Sequence, residues 1–382
     1  MPEPGPLLGV VADDFTGACD LAATVSRAGV PATVLLDATA AVPTVACVVV
    51  ALKSRTAPVD VAVAESVAAA RALRAAGARW IYQKYCSTFD STDTGNIGPV
   101  ADALMDELGA ATDLTTPATP ALGRTVHRGH LFVGDRLLSE SPLRHHPLTP
   151  MTDPDLVRVL GRQTSRPVSR GVVGPGHVVL DAISDDDLDA HARLLLERAA
   201  AGHVDLWGGA SGLAAALARA LPRSAPAATS APVPAGRRLV IAGSCSEQTR
   251  AQVAHFRGPS YRVAPGDVSG ALAFLTSTDG TALVYTSAAP AEVLPGAAAE
   301  IEATLAAIAR RAVTELGVAQ LLVAGGETSG AVCRELRLTA LDVREHVGPG
   351  LAWCSPLPDP GLRVLLKSGN FGDDDLFDEA WL

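Results

Sequence analysis

At 382 residues, with 48% hydrophobic and only 4% aromatic content, the chain suits two domains with cores of Ala, Val and Leu. A formal net charge of -10 argues against nucleic acid and anionic membrane as partners, and no apolar run approaches the length of a bilayer span. Six scattered cysteines without a CxxC pair fit reduced thiols in a cytoplasmic enzyme, and neither a disulfide framework nor a zinc site.

The opening MPEPGPLLGVVADD has no basic n-region and no small-residue cleavage pattern, so a secretory signal is not expected. Leu7–Ala12 reads as a short buried strand, and Ala18–Ala28 is Ala-rich and helix-competent. Asp13, Asp14, Phe15, Thr16 and Gly17 stand between them. A strand that turns into a helix through polar residues opens a βαβ unit, and ligands of open α/β sheets sit beyond the carboxyl ends of the strands. Asp13 and Asp14 are therefore candidate site residues. A phosphate cradle would use Gly and backbone N–H groups there. Two carboxylates suit sugar hydroxyls, a proton to be removed or a metal ion; the alternative is that one Asp only caps the helix.

Further strands are expected at Ala32–Leu36, Val45–Ala51, Arg79–Gln83 and His177–Asp181, with helices at Val59–Ala76, Val100–Leu108, Leu188–Ala201 and Ser211–Leu221. This alternation predicts an α/β fold with a mostly parallel sheet flanked by helices. Polar residues again follow strands, with Asp37 after the second and Lys53-Ser54-Arg55 after the third. After Arg79–Gln83 comes Lys84-Tyr85-Cys86-Ser87-Thr88-Phe89-Asp90-Ser91-Thr92-Asp93-Thr94-Gly95-Asn96-Ile97-Gly98. Its hydroxyls, carboxylates and amide offer the donors and acceptors a polyol needs, and Lys84 suits a substrate carboxylate or a phosphoryl group. A solvated Ser/Thr loop has the same composition.

In the stretch Leu138–Pro150, Arg144 suits an acidic substrate, whereas the adjacent His145 and His146 lack a third ligand at metal-site spacing. No metal ligands are assigned. Ser184 with Asp187 reads as a structural helix cap. Gly208-Gly209-Ala210-Ser211-Gly212 allows either a close ligand approach or tight strand–helix packing. Leu221–Arg238 is dominated by Pro, Ala and Ser and marks a linker, dividing the chain into domains 1–222 and 238–382 around 223–237.

Alternation resumes with strands Leu239–Ala242, Ala282–Thr286 and Ala319–Ala324, and helices Glu247–Phe256, Ala298–Leu316 and Ser329–Leu336. Three Gly/Ser/Thr loops each follow a strand: Gly243-Ser244-Cys245-Ser246, Gly325-Gly326-Glu327-Thr328-Ser329-Gly330 and Lys367-Ser368-Gly369-Asn370-Phe371-Gly372. Gly348-Pro349-Gly350 adds a fourth turn. Such loops present N–H groups and hydroxyls to phosphates, and three in one domain favour a nucleotide site. Neither a Walker A loop nor a GxGxxG after a strand is present, which argues against a nicotinamide dehydrogenase.

Ala12–Ala18, the Ser87–Gly98 stretch, Gly325–Gly330 and Lys367–Gly372, in that order, resemble the four-carbon acid sugar kinase family. The finer likeness is to its 3-oxo-tetronate 4-kinase branch, through Cys86–Thr92, Gly95–Val100, His130–Asp135, Leu138–Ser141 and Arg144–Asp153. Threonate and erythronate kinases tend to carry an Arg where this chain has Asp90-Ser91-Thr92, and the chain is short between Phe256 and Ala319.

The resemblance implies a sugar-acid-binding first domain, an ATP-binding second domain, and Mg²⁺ with the ATP. It implies phosphorylation of the C4 hydroxyl of a four-carbon sugar acid such as 3-oxo-tetronate, with D-threonate, D-erythronate or 3-oxo-isoapionate as alternatives. Asp13 or Asp14 would accept the C4 proton, and Lys84, Ser87, Asp90, Asn96 and Arg144 would hold the acid. Ser244, Gly325, Gly326, Glu327, Thr328, Gly330, Gly348, Gly350, Lys367, Gly369, Asn370 and Gly372 would hold ATP. The implied partners are small molecules, with a homodimer open as the assembly. A two-domain sugar-acid binding protein is the reading without chemistry.

Overall fold

The computed structural model describes residues 5–145, 149–221, 232–286, 296–357 and 361–382, with His145 as backbone alone. Residues 223–231 of the expected linker, and His146, lie outside the described residues. The chain splits into two compact units, Met1–Pro226 and Ala227–Leu382.

The first unit runs β1 (Leu8–Ala12), α1 (Phe15–Arg27), β2 (Ala32–Leu35), β3 (Cys47–Ala51), α2 (Val59–Ala75), β4 (Trp80–Lys84), α3 (Ile97–Leu108) and β5 (Thr112–Thr116). It continues with β6 (Arg124–His127), β7 (His130–Val133), β8 (Arg136–Leu137), α4 (Leu156–Gly161), β9 (Val168–Arg170), β10 (Gly176–Val179), α5 (Asp185–Ala200), β11 (Asp205–Gly209) and α6 (Ser211–Ala220). Eight strands lie in the order β2-β3-β1-β4-β11-β5-β10-β9, every pairing parallel. Strands β6, β7 and β8 form a separate antiparallel sheet.

Strands β1 (LGVVA) and β3 (CVVVA) are buried along their whole length, which is why they read as continuous apolar runs and not as alternating ones. Helix α1 buries Ala18, Leu21, Ala22 and Val25, the spacing of one helical face. Ser184 and Asp187 form a reciprocal capping box at the start of α5. Register then places the site. Ala12 pairs with Ala51 on one side and Lys84 on the other, and Lys84 in turn with Gly209, so the loops after β1, β3, β4 and β11 leave the same edge. Strand order reverses at β1, with β3 and β2 to one side and β4 to the other, and crevices open at such reversals.

The second unit runs β12 (Arg237–Ala242), α7 (Glu247–His255), β13 (Ser260–Arg262), α8 (Val268–Thr276), β14 (Thr281–Tyr285), α9 (Ala298–Leu316), β15 (Val318–Ala324) and α10 (Gly326–Glu335). It closes with β16 (Ala340–Gly348), β17 (Leu351–Leu357), β18 (Arg363–Lys367) and α11 (Leu376–Glu379). The order is β13-β14-β12-β15-β18-β17-β16, parallel as far as β18 and antiparallel through β17 and β16. Ala242, Ala324 and Lys367 are in register across β12, β15 and β18, so the three glycine loops emerge side by side. The chain's last turn is docked by Trp353, whose indole donates to Ala380 O at 2.6 Å and packs on Trp381. Among the described residues no helix is long and apolar enough to cross a membrane.

Candidate functional site

Asp13 and Asp14 extend from the end of β1 but differ in their partners. Asp14 caps α1, accepting from Gly17 N at 2.8 Å and from Thr16 Oγ1 at 3.1 Å, so the capping alternative holds for this residue. Asp13 receives Arg55 at two points, Nε to Oδ2 and Nη2 to Oδ1, both at 2.8 Å. The same Nη2 lies 3.0 Å from Asp14 Oδ1, and Nη1 is 4.0 Å from Asp90 Oδ2. Arg55 is held over β1 because Ser54 N and Arg55 N both donate to Asp13 O.

Lys84, the last residue of β4, is buried, donates to Tyr85 O at 3.0 Å, and contributes positive charge to Asp13, Asp14 and Asp20. Burial pushes the Asp13 carboxyl above its usual range, more than Arg55 draws it down. Burial acts on Asp14 too, but Arg55, Lys84, the Gly17 amide and the Thr16 hydroxyl together hold it below that range. Adjacent carboxylates are thus displaced in opposite directions, the pattern that separates acid and base roles.

A cavity beside the pair is lined by Asp13, Ser54, Arg55, Lys84, Asp90 and Asn96 among other residues. The structure therefore brings four of the sequence-derived residues (Asp13, Lys84, Asp90, Asn96) to one place, with Asp14 adjoining through Arg55. Asp90 is buried and accepts from Thr88 Oγ1 at 2.5 Å. Asn96 spends its amide on the neighbouring loop, donating to Ser54 O at 2.7 Å and Ala57 O at 2.9 Å, and so holds Arg55 in place. Ser87 is half-buried in the turn after Cys86. Arg144 is exposed, donates to Ser139 O at 3.2 Å and does not line the cavity.

Phe89 takes φ 53, a left-handed conformation strained for an aromatic residue, and its ring packs edge-on against Tyr85. Gln163 clamps this loop, donating to Ser91 Oγ at 2.8 Å and Thr92 O at 2.6 Å and accepting from Gly98 N at 2.9 Å. At Gly209 and Gly212 an added Cβ would meet Thr116 O and Ala118 O, respectively, so this segment serves close strand–helix packing. Sequence reasoning missed Arg55 and Gln163. Arg55 carried a signal as a cation just past a strand end, while nothing local marked Gln163.

In the second unit the loops after β12 and β18 interlock. Ser246 caps α7 and donates to Gly369 O at 2.7 Å, and Thr249 Oγ1 donates to the same oxygen at 2.9 Å. A Cβ on Gly369 would stand 2.3 Å from Ser244 Oγ. Gly325 precedes α10 with φ 123 and donates to Lys367 O at 2.9 Å, while Gly326, Glu327, Thr328 and Gly330 form the first turns of α10. Glu327 and Asn370 are exposed at this edge. Gly348 and Gly350 flank the β16–β17 turn, next to Leu351, which an added Cβ on Gly372 would approach to 3.3 Å. Lys367 points its ammonium inward, to Thr249, Gln252 and Gly369, and not to the surface. Among the described residues no group of three or more His, Cys, Asp and Glu is placed to hold a metal ion.

Comparison with known proteins gives two matches along the chain. Residues 8–173 match a sugar-binding N-terminal domain, and residues 239–377 a nucleotide-binding C-terminal domain. The 3-oxo-tetronate kinase of Burkholderia multivorans is 44% identical, over 98% of this chain and 96% of its own. That of Methylobacterium radiotolerans is 45% identical over 98% of each chain. Among solved structures, a Salmonella typhimurium LT2 protein described as a tRNA synthase has TM-score 0.85 at 35% identity, over 98% of each chain. A Haemophilus influenzae protein gives 0.76 at 32% identity, over 97% of this chain and 98% of its own. The chain belongs to the four-carbon acid sugar kinase family.

Proposed function

We propose that this member of the four-carbon acid sugar kinase family transfers the γ-phosphoryl group of ATP to the C4 hydroxyl of 3-oxo-tetronate. Its relatives at 44% and 45% identity are 3-oxo-tetronate kinases, which supports this choice of substrate. The observation that carries the mechanism is the Asp13–Asp14 pair, with its carboxyls displaced in opposite directions beside Arg55 and Lys84.

Asp13, with the raised carboxyl, is the better proton acceptor. It takes the C4 proton as the hydroxyl oxygen attacks the γ-phosphorus; the new O–P bond forms, the bond to the bridging oxygen of ADP breaks, and ADP leaves. Asp14 stays ionised and orients the reacting end through its ties to Arg55 and the helix start. Arg55 and Lys84 hold the substrate's carboxylate and oxo oxygens, and Asp90 with Ser87 accepts or donates to its hydroxyls. Asn96 acts indirectly, by fixing the Arg55 loop. ATP arrives as its Mg²⁺ complex, so the ion enters as part of the substrate. The glycine loops after β12, β15 and β18 hold the triphosphate through backbone N–H groups.

The reaction belongs in the cytoplasm, where ATP is available and the six free cysteines stay reduced. A homodimer is compatible with this reading and is not needed for it. A coupled ADP-release assay over a panel of four-carbon and branched sugar acids is the test. The 3-oxo acid should exceed threonate and erythronate in kcat/KM by roughly ten- to a hundredfold, the cost of a mismatched buried hydrogen bond. Equal rates would remove the substrate assignment and keep the kinase. Tight sugar-acid binding without ADP release from any acid would leave the binding-protein reading.

A further inference from the structure

Lys367 closes β18 where the glycine loops meet, and its side chain is fully buried. Its ammonium has three acceptors: Gln252 Oε1 at 2.5 Å, Thr249 Oγ1 at 3.1 Å and Gly369 O at 3.2 Å. Three acceptors match the three donors of an ammonium. A neutral amine has two, and would turn its lone pair towards the third acceptor. The ring of Phe377, 5.7 Å away, is the other group it faces.

The elements around it carry Glu247, Arg250 and His255 on α7, Glu327, Arg334 and Glu335 on α10, Cys354 on β17, Asp373, Asp374 and Asp375 on the loop between β18 and α11, and Asp378 and Glu379 on α11. Among the described residues none of them pairs with Lys367. Asp374 lies against Gln248 and His255, Asp375 and Asp378 against Arg257, and Glu335 against Arg310; burial keeps the Cys354 thiol neutral. A buried cation with dipolar partners but no counter-charge is costly to keep charged. Burial accordingly draws the Lys367 ammonium down to about 7.

Resting on the nucleotide reading, we propose that the phosphates of a bound nucleotide are the counter-charge for Lys367, and that nucleotide binding draws a proton from solvent onto this side chain. Lys367 is then a positioning residue, acting on the nucleotide through Gly369 and α7, which its three bonds join. Without nucleotide the side chain is divided between amine and ammonium near neutrality. With anionic phosphates on the Gly369 loop the ammonium prevails, all three bonds close, and the loop is fixed. The proton returns to solvent when the nucleotide leaves. By linkage, nucleotide affinity falls as pH rises above the nucleotide-free value.

Calorimetric titration of the full-length protein with ADP at pH 8, in buffers of different ionisation enthalpy, counts the protons taken up. From a starting value of about 7 the uptake should approach about 0.9 per ADP. Affinity should fall by close to tenfold per pH unit over about pH 7.5 to 8.5. Lys367→Met should bind ADP more weakly and take up no proton. Lys367→Arg, charged at every pH tested, should bind with nearly pH-independent affinity. If either variant fails to fold, the proton count on the unaltered protein decides alone. Bound ADP with zero uptake, or the same uptake in Lys367→Met, overturns the proposal and leaves the nucleotide reading standing; absence of ADP binding overturns both.

Discussion

Arg55 grips Asp13 with two parallel bonds of 2.8 Å and places the same Nη2 3.0 Å from Asp14, so one guanidinium spans both carboxylates that precede α1. Two adjacent half-buried carboxylates without that cation would repel each other and the substrate's own carboxylate. Arg55→Ala should therefore lower kcat/KM for the sugar acid by about 10²-fold or more while moving KM for ATP little. Arg55→Lys should recover only part, because an ammonium cannot reproduce the fork. Steady-state kinetics check this, and kcat/KM close to wild type in Arg55→Ala would assign the role elsewhere.

Asp13 and Asp14 should separate in their pH dependence. The base must be ionised to work, so kcat/KM rises with pH through the Asp13 value, which burial sets above that of an ordinary Asp. Asp13→Asn should lower kcat by about 10²-fold or more and remove that acid limb. Asp14→Asn should keep the helix start, since Asn caps as well as Asp, and should retain the limb. A limb that survives in Asp13→Asn and vanishes in Asp14→Asn would exchange the two roles.

The strand-and-helix frame of both units was legible because β1, β3, β12 and β15 are apolar runs set between helix-length segments. Strand β5, Thr-Asp-Leu-Thr-Thr, was not, since polar groups buried in it find distant partners, Thr115 in Tyr85 and Asp113 in His177. The antiparallel β16–β17 hairpin escaped because half-buried charged residues in β16 break the apolar signal, whereas β18 was implied, without bounds, as the strand before the Lys367 loop. At the site, Asp13, Asp14 and Lys84 were legible from their place after strands. The hydrogen-bond partners of Asn96 and Lys367 were not: type and position suggested ligand contacts, and the side chains bond to backbone and neighbouring side chains that lie far off in sequence or carry no local signal.

Gly369 offers a test of the second unit. A methyl there would lie 2.3 Å from Ser244 Oγ and 2.8 Å from Ser246 Oγ, and the Ser246 hydroxyl is already committed to α7 and Gly369 O. Gly369→Ala should force the two loops apart and raise KM for ATP by about tenfold or more, with KM for the sugar acid nearly unchanged. The reverse pattern would move these loops to the sugar side.

Asn96 should behave as a support for Arg55. Asn96→Ala frees Ser54 O and Ala57 O, a loss of about 1–3 kcal/mol in local order. The sugar-acid KM should rise, and combining it with Arg55→Ala should add little, because both changes act on one interaction. Fully additive effects would show that Asn96 meets the substrate itself.

His177 governs a separate property, stability at alkaline pH. It is fully buried on β10, with Nδ1 2.8 Å from Asp113 Oδ2 and Nε2 2.9 Å from Asp102 Oδ1. With a carboxylate at each ring nitrogen, only the imidazolium supplies both N–H donors. Burial works against that charge, but hydrogen bonds to Asp102 and Asp113 outweigh it and raise His177 to about 9. Burial opposes ionisation of Asp102, but His177 itself, then Thr164 Oγ1 at 2.7 Å and Arg166 at 3.0 Å, hold it below its usual range, whereas burial pushes Asp113 above its own, so Asp102 is the firmer of the two counter-charges. The folded value lies above the unfolded value of about 6.5, so the stabilisation is complete below that pH and is lost as pH rises through about 9. A shift of that size corresponds to something on the order of 3 kcal/mol. Lys367, whose folded value is lowered, adds stability as pH rises above about 7 and so tilts the profile the other way. The informative quantity is thus the difference between wild type and His177→Gln, followed by unfolding midpoint at several pH values. Wild type should lead clearly at about pH 6.5 and lose most of that lead by pH 9 to 10. A lead that stays constant across the range would mean that the ring is neutral in the folded protein.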